Sequence, residues 1–456
     1  MPSSHQTPLK NLARAASQWS SFTAVKIPIL GSGEQSRIVA YRNISYKEIR
    51  DHVDNLGRYW YQRLSRDGIQ RKSIVGVCLR GLSAIDVLHL YGISRAGFIP
   101  QPFSLLPDAV EVVNELLKMS GARVLVYEEG YFDSAKLLPT MNSALKVDPV
   151  VDPATIEVLS YSDVHLDPIP DTEDPDEIGW IFHSTSSTSG VPKLVPMTWN
   201  FVDTLVLKAS VILPQCGSRC DNENIISWNS SVCHLANFSY ILGMIYHGDC
   251  IIQQTSVSPS KEEFKTMAKL GGLNRAFMFP GLFSRLAREA EEDPDLLELF
   301  RRLKSILYAG GPMPKDEVRW ARRNGLNLVN LYATTECGVP LMMSKGLQSI
   351  PDCEPHYLYP VQVSNSNMDG PSCRLQYGFV PLPKSELERA EQVDLKEFVV
   401  YRDSADCPHA SLLPVDGKMK YHTGDLFEEP EPGGYLHRGR TDDWIKMENG
   451  CRCDAR

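Results

Sequence analysis

The chain has 456 residues, 43% hydrophobic and 23% charged, with 31 Gly and 31 Pro, which fits an ordinary globular protein and excludes collagen-like, low-complexity and disordered classes. A formal net charge of −9 leaves no basic footprint for a nucleic-acid partner, and no run of about 18 apolar residues offers a membrane span. The 11 Cys are scattered, and Cys216/Cys220 and Cys451/Cys453 lack a second pair or a His framework at zinc spacing, so they read as free thiols of a reducing cytoplasm.

Met1 to Gly33 contains no Asp or Glu, while Lys10, Arg14 and Lys26 sit among Ser, Thr and Ala. That composition suits a lead-in over residues 1–40; a transit peptide shares it, but no apolar core or cleavage pattern supports targeting. Ser45 followed by Glu48 reads as a capping box, and Ile49, Val53, Leu56, Trp60 and Leu64 then recur at helical spacing. Gly68 closes that helix. Ser73–Leu79 reads as a buried strand, Leu82–Ala96 and Pro107–Ser120 as helices, and Arg123–Tyr127 as a strand. Strands separated by helices of this length imply parallel pairing with helices on both faces. Further on, helices at Glu262–Leu270, Pro280–Glu289 and Pro314–Asn324 alternate with strands at Arg275–Phe279, Ser305–Tyr308 and Leu326–Leu331. Residues 41–344 are therefore read as two successive α/β halves. Residues 345–438, rich in Pro, Asp and Ser with short runs such as Glu397–Arg402, are read as a smaller β subdomain. Residues 439–456 stop without a closing element, as expected of a chain that has been cut or that continues.

The most informative run is Thr185-Ser186-Ser187-Thr188-Ser189-Gly190-Val191-Pro192-Lys193. Small side chains let backbone N–H groups approach an anion, hydroxyls donate further bonds, and Lys adds a point charge. In physical terms this is a phosphate cradle, and it is not a Walker loop, because no Gly-x-x-x-x-Gly-Lys-Ser/Thr occurs. A Ser-rich linker is the bland alternative; strand-like Gly179–Phe182 before it and Leu194–Trp199 after it favour the cradle.

The run resembles the phosphate loop of adenylate-forming enzymes, the group of acyl-CoA synthetases, nonribosomal peptide synthetase adenylation domains and luciferases. It departs from Thr-Ser-Gly-Thr-Thr-Gly-x-Pro-Lys at Ser187 and Ser189. Four more segments follow in the family's order. Ala309-Gly310-Gly311-Pro312 resembles the turn against adenine and the acyl group. Asn330-Leu331-Tyr332-Ala333-Thr334-Thr335-Glu336 resembles Tyr-Gly-x-Thr-Glu, with Ala333 replacing Gly. Tyr421-His422-Thr423-Gly424-Asp425-Leu426 resembles Tyr-Arg-Thr-Gly-Asp-Leu, and Gly439-Arg440-Thr441-Asp442-Asp443-Trp444-Ile445-Lys446 resembles Gly-Arg-x-Asp-x-x-Ile-Lys. The resemblance implies a large adenylate-forming N-terminal domain of two doubly wound α/β halves plus a smaller β subdomain, the small C-terminal domain being missing.

It also implies roles. The cofactors are ATP and Mg²⁺, with Lys193 and the hydroxyls on the β- and γ-phosphates, and Thr188 and Glu336 holding the metal. Lys193, Thr188 and Glu336 form the catalytic set. Tyr332 stacks on adenine, Thr335 meets the α-phosphate, and Asp425 and Arg440 hold the ribose. An ionised carboxylate suits two ribose hydroxyls, since it accepts two hydrogen bonds at once. Asp442 is the hinge to the C-terminal domain. The family's second catalytic cation lies on that domain, so the chain as given is expected to bind nucleotide but adenylate slowly.

His234, Asn237 and Phe279, with Gly310 and Gly311, are the candidate acyl-pocket residues. His234 is also readable as a half-buried His satisfied by backbone. Leu235 stands where amino-acid-activating relatives place an Asp, and no Asp or Glu occurs between Glu223 and Asp249. A buried ammonium without a carboxylate is costly, so an aryl or α-keto acid is favoured over an α-amino acid, with Asn237 available to a hydroxyl or keto oxygen. The acceptor implied is a phosphopantetheine thiol on a downstream carrier domain, or CoA. Two rivals stand beside this: a free acyl- or aryl-CoA ligase, and an inactive nucleotide-binding module suggested by Ser187 and Ala333, whose Cβ atoms crowd a backbone approach.

Overall fold

Ser45 and Glu48 form the expected capping box at the head of Tyr46–Arg66, Ser45 N–H donating to the Glu48 carboxylate at 2.7 Å and Glu48 N–H to Ser45 Oγ at 3.2 Å. The stripe Ile49, Val53, Leu56, Trp60 and Leu64 is buried, and the helix packs on Ala84–Arg95. The two helices meet closely enough that a Cβ on Gly92 would lie 2.6 Å from Leu56 Cβ. Fully burying each Leu or Val of such a stripe contributes about 1.5–3 kcal/mol.

The computed structural model describes residues 7–32, 37–104, 110–131, 146–150, 161, 163–169, 174–184, 192–213, 224–228, 230–347, 356–362, 375–382, 394–413, 419–441, 444–446 and 452–454. In the first half, strands Ile99–Pro102, Ile74–Cys78, Val124–Tyr127 and Lys146–Pro149 pair in that order, all parallel. The second half belongs to a 13-stranded sheet. Its parallel block runs Leu328–Thr334, Ser305–Tyr308, Arg275–Met278, Ile225–Ser227, Cys250–Ile252, Thr23–Leu30.

Alternation along these strands divides the core. Ala276, Met278, Ile306, Tyr308 and Leu328 face the helices Lys261–Lys269, Pro280–Glu291, Pro294–Arg302 and Lys315–Arg323. Phe277, Leu307, Ala309 and Leu331 face the other way, into a core shared with Trp199–Ile212 and Leu235–His247. Helices on both faces of a parallel sheet make the doubly wound arrangement.

Beyond Leu328–Thr334 every pairing is antiparallel, through Gly338–Ser344, Leu358–Pro360, Gly434–Arg440, Lys420–Glu431, Leu395–Tyr401 and Tyr377–Pro381. Cys337, Leu341, Met342, Phe398, Val400 and Phe427 form its separate core. The β texture thus begins at the chain reversal before Gly338, ahead of residue 345, and Gly439 and Arg440 lie inside a core strand.

Residues 8–30 correct the lead-in reading. Thr7 caps a helix, Pro8–Gln18, with Pro at its first position, and Thr23–Leu30 is inserted beside Cys250–Ile252. Tyr246 takes the Arg14 guanidinium on its ring at 4.0 Å and on its carbonyl at 2.6 Å. Among the described residues, Cys78, Cys233, Cys250, Cys337 and Cys407 are free thiols, and no helix is long and apolar enough to cross a membrane.

Candidate functional site

Asp425 lies in Lys420–Glu431 directly opposite Arg440. Gly424, at φ 76°, turns the backbone just before it, its N–H donating to Glu397 Oε1 at 2.9 Å while Glu397 Oε2 meets His422 Nδ1 at 2.7 Å. Thr423 Oγ donates to the Phe398 carbonyl at 2.8 Å and accepts from Asp425 N–H at 3.1 Å. The carboxylate is thereby fixed, and only 5% of Asp425 is exposed. Oδ2 accepts from the Tyr332 hydroxyl at 2.9 Å and from Arg440 Nη1 at 3.2 Å, and Oδ1 lies 3.2 Å from His437 Nε2. Arg440 also donates from Nη2 to the Thr423 carbonyl at 3.0 Å. Burial, and then the Asp425 charge, push the Tyr332 phenol well above its usual value, so it stays a donor. Its ring meets Phe398 and Phe427 edge-on and lies tilted by 32° against His437. His437 was not among the residues the sequence suggested, although Tyr435-x-His437 alternation in a strand next to the Arg440 segment was a usable signal.

Ala333 and Thr334 end the strand that carries Tyr332, and Thr335, Glu336 and Cys337 make the reversal into Gly338–Ser344. Thr334 Oγ accepts the Cys337 N–H at 3.1 Å. Glu336 is half-buried, and its charge helps to raise the half-buried Tyr421 phenol and the buried Cys337 thiol, whose upward shifts come first from burial. Asn330 is tied by its N–H to Ser344 Oγ at 2.8 Å. Ala309 is buried at the end of Ser305–Tyr308, while Gly310, Gly311 and Pro312 are exposed. Gly310 has φ 86°, and a Cβ there would sit 3.0 Å from the Phe279 ring; a Cβ on Gly311 would meet nothing within 4 Å. Phe279 heads the helix Pro280–Glu291, so shelf and wall are in contact.

Lys193 is exposed, and its carbonyl accepts the Ser184 N–H at 2.9 Å, closing the hairpin of Ile178–His183 with Leu194–Thr198. Thr185, Ser186, Ser187, Thr188, Ser189 and Gly190 lie outside the described residues, as does Asp442. His234 caps Leu235–His247: its Nδ1 accepts the Ala236 N–H at 3.2 Å. Nε2 therefore carries the proton, and burial pushes the ring's pKa down. Asn237 lies on that same helix. It is 1% exposed and its amide donates to the Ser230 carbonyl at 2.7 Å, bracing the loop before the helix. His183, also unforeseen, is pulled down to about 4 by burial first, with His234 a minor contributor; its Nε2 accepts the Ser104 N–H at 3.0 Å.

No group of three or more His, Cys, Asp or Glu that could cage a metal occurs among the described residues. The half-buried carboxylate of Glu336 is a hard-oxygen donor. It suits Mg²⁺ that keeps waters and phosphate oxygens as its other ligands.

The profile of the AMP-binding enzyme family matches residues 12–363. The chain belongs to that family. It is an adenylate-forming ligase, whose reaction activates an acid. The AMP-binding domain-containing enzyme iboA of Amanita muscaria (strain Koide BX008) is 29% identical over 435 residues, covering 94% of this chain and 79% of the relative. Among solved structures, the O-succinylbenzoate Coenzyme A synthetase from Bacillus subtilis, in complex with ATP and magnesium ion, superposes with a TM-score of 0.72 at 12% identity, covering 97% of this chain and 82% of that one. The nonribosomal peptide synthetase FmoA3 gives a TM-score of 0.69 at 17% identity over 97% of this chain, but this AMP-binding enzyme spans only 43% of FmoA3.

Proposed function

We propose that this AMP-binding enzyme uses ATP to convert a non-amino carboxylic acid, an aryl or α-keto acid in preference to others, into its acyl-adenylate with release of pyrophosphate. The acyl group then passes to the phosphopantetheine thiol of a carrier protein. The observation that carries the nucleotide half is the buried Asp425 carboxylate, already aimed by Tyr332, His437 and Arg440, next to the strand end from which Thr335 and Glu336 project. Asp425 and Arg440 take the ribose hydroxyls, the tethered Tyr332 ring offers a face to adenine, and the Gly310–Gly311 shelf takes the reacting carboxylate. Lys193 and the hydroxyls from Thr185 to Ser189 bind the β- and γ-phosphates, while Thr188 and Glu336 would hold Mg²⁺, which neutralises charge on the phosphate oxygens when bound. One carboxylate oxygen of the acid attacks the α-phosphorus, the α–β bridging bond breaks, and pyrophosphate leaves with the electron pair. Most of the acceleration comes from charge stabilisation by groups held in place beforehand.

For the acid, the helix Leu235–His247 carries no carboxylate. The next one, Asp249, is 2% exposed and accepts from the Asn224 amide at 3.1 Å. A substrate ammonium would find no carboxylate on this helix, which supports a non-amino acid. His234 Nε2–H and the Asn237 amide are the donors available to a carboxylate, hydroxyl or keto oxygen. The peptide synthetase likeness favours a carrier thiol; the O-succinylbenzoate synthetase likeness favours an aryl acid and keeps free CoA as the alternative acceptor. The inactive reading loses ground because Lys193, Glu336, Asp425 and Arg440 are all retained. Acid-dependent exchange of pyrophosphate into ATP, run over aryl, α-keto, fatty and amino acids, tests the reading. Exchange with aryl or α-keto acids is expected, whereas exchange confined to amino acids would overturn the substrate assignment.

A further inference from the structure

Lys208 and Asp406 form an ion pair with both side chains 0% exposed. Lys208 lies on Trp199–Ile212, the helix that leaves the strand after Lys193; Asp406 lies in the loop after Leu395–Tyr401. Both carboxylate oxygens are engaged: Oδ2 takes Lys208 Nζ and the Tyr377 hydroxyl, the latter at 2.5 Å, and Oδ1 takes Ser404 Oγ at 2.5 Å. The ammonium also lies 3.4 Å from the carbonyl of Cys337, the residue after Glu336. The helix touches this reversal a second time, since a Cβ on Gly338 would fall 2.5 Å from Leu205 Cδ2.

Two charges removed from water are a poor way to gain stability, because an apolar pair of the same volume serves as well or better. What the pair does supply is direction. It ties one carbonyl of the Thr335–Cys337 turn to the helix anchored next to Lys193, which no apolar contact would do with the same precision. We propose that Lys208 and Asp406 are positioning residues for metal–nucleotide binding: they hold the turn so that Glu336 meets the metal-bound phosphates. This rests on the assignment of Glu336 given above.

The test replaces the pair by Lys208→Met with Asp406→Leu, so that no lone charge is left buried, and uses Tyr377→Phe as a milder variant that removes one bond to Asp406. Binding of Mn²⁺ with a non-hydrolysable ATP analogue is followed by electron paramagnetic resonance, and binding of AMP without metal by calorimetry. The double variant is expected to stay folded, bind AMP as wild type does, and lose about tenfold in metal affinity; Tyr377→Phe should lose about threefold. In pyrophosphate exchange, kcat should fall while KM for the acid holds. Wild-type metal affinity in a folded double variant would overturn the proposal, and if that variant does not fold, unchanged metal affinity in Tyr377→Phe would overturn it instead. Metal binding in wild type that is indifferent to Glu336→Gln would sink the Glu336 assignment itself, a different failure.

Discussion

Replacing Asp425 by Ala removes the group on which the nucleotide reading turns, and the structure sets the size of the effect. Of the roughly four acceptor positions of a carboxylate, three face Tyr332, Arg440 and His437. One ribose hydroxyl can take the remaining position, and the second must displace a 3.2 Å contact such as that of His437. A charge-assisted bond contributes about 1.5–3 kcal/mol, and the second nets less because it replaces one already made. The expected loss is therefore about 2–4 kcal/mol, roughly 30- to 900-fold in Kd for AMP. The same change leaves the buried Tyr332 hydroxyl without its acceptor, which costs about 1–3 kcal/mol of folding stability. Asp425→Asn keeps one oxygen and should fall between the two on both scales. Calorimetry with AMP gives the first quantity and thermal unfolding the second. A folded Asp425→Ala protein with wild-type AMP affinity but lowered stability would refute the ribose role and leave Asp425 as the anchor of Tyr332 alone.

Gly310→Ala forces a side chain into a positive-φ position facing Phe279; thermal unfolding should show a loss of about 1–2 kcal/mol, accompanied by weaker use of the acid substrate. Lys193→Ala, at an exposed site, should change stability by less than about 0.5 kcal/mol while cutting pyrophosphate exchange by roughly a hundredfold. A stability loss without an activity loss would count against the phosphate role. His183 and His356 are each held near 4 by burial, against 6.5 when free. Between those values the unfolded chain binds a proton that the folded chain refuses, so this contribution to stability falls as pH drops from 6.5 towards 4. Asp86, raised to about 6 by burial, acts in the opposite sense in any variant that retains it. His183→Gln should therefore flatten the pH dependence of the unfolding free energy by about one proton over that window, and an unaltered slope would show that His183 titrates normally.

The α/β alternation was legible because amphipathic periods and caps were present, as at Ser45 and Glu48. The helix Leu235–His247 was not, because it is buried on nearly every side and so shows no polar face to set a period. At residues 8–30, the acid-free composition pointed to a lead-in although Thr7-Pro8 is itself a helix-start signal; the partner strand, Cys250–Ile252, is more than two hundred residues away. At the site, the motifs named Tyr332, Asp425 and Arg440, but not that the first two share a hydrogen bond across 93 residues. Asn237 looked like a free polar group in an apolar stretch, and only the loop carbonyl of Ser230 in space explains it. Lys208 and Asp406 were not singled out in the sequence, since nothing local marks a charged residue for burial.

In the proposed reaction an oxygen of the acid becomes bonded to the α-phosphorus of ATP. This step is tested most directly with an acid whose carboxylate is labelled with heavy oxygen, incubated with Mg·ATP and hydroxylamine as acyl acceptor, the products being resolved by mass spectrometry. AMP carrying one labelled oxygen, unlabelled pyrophosphate and the acyl hydroxamate are the expected products. Label appearing in orthophosphate alongside ADP, or AMP formed without label, would contradict the proposed reaction.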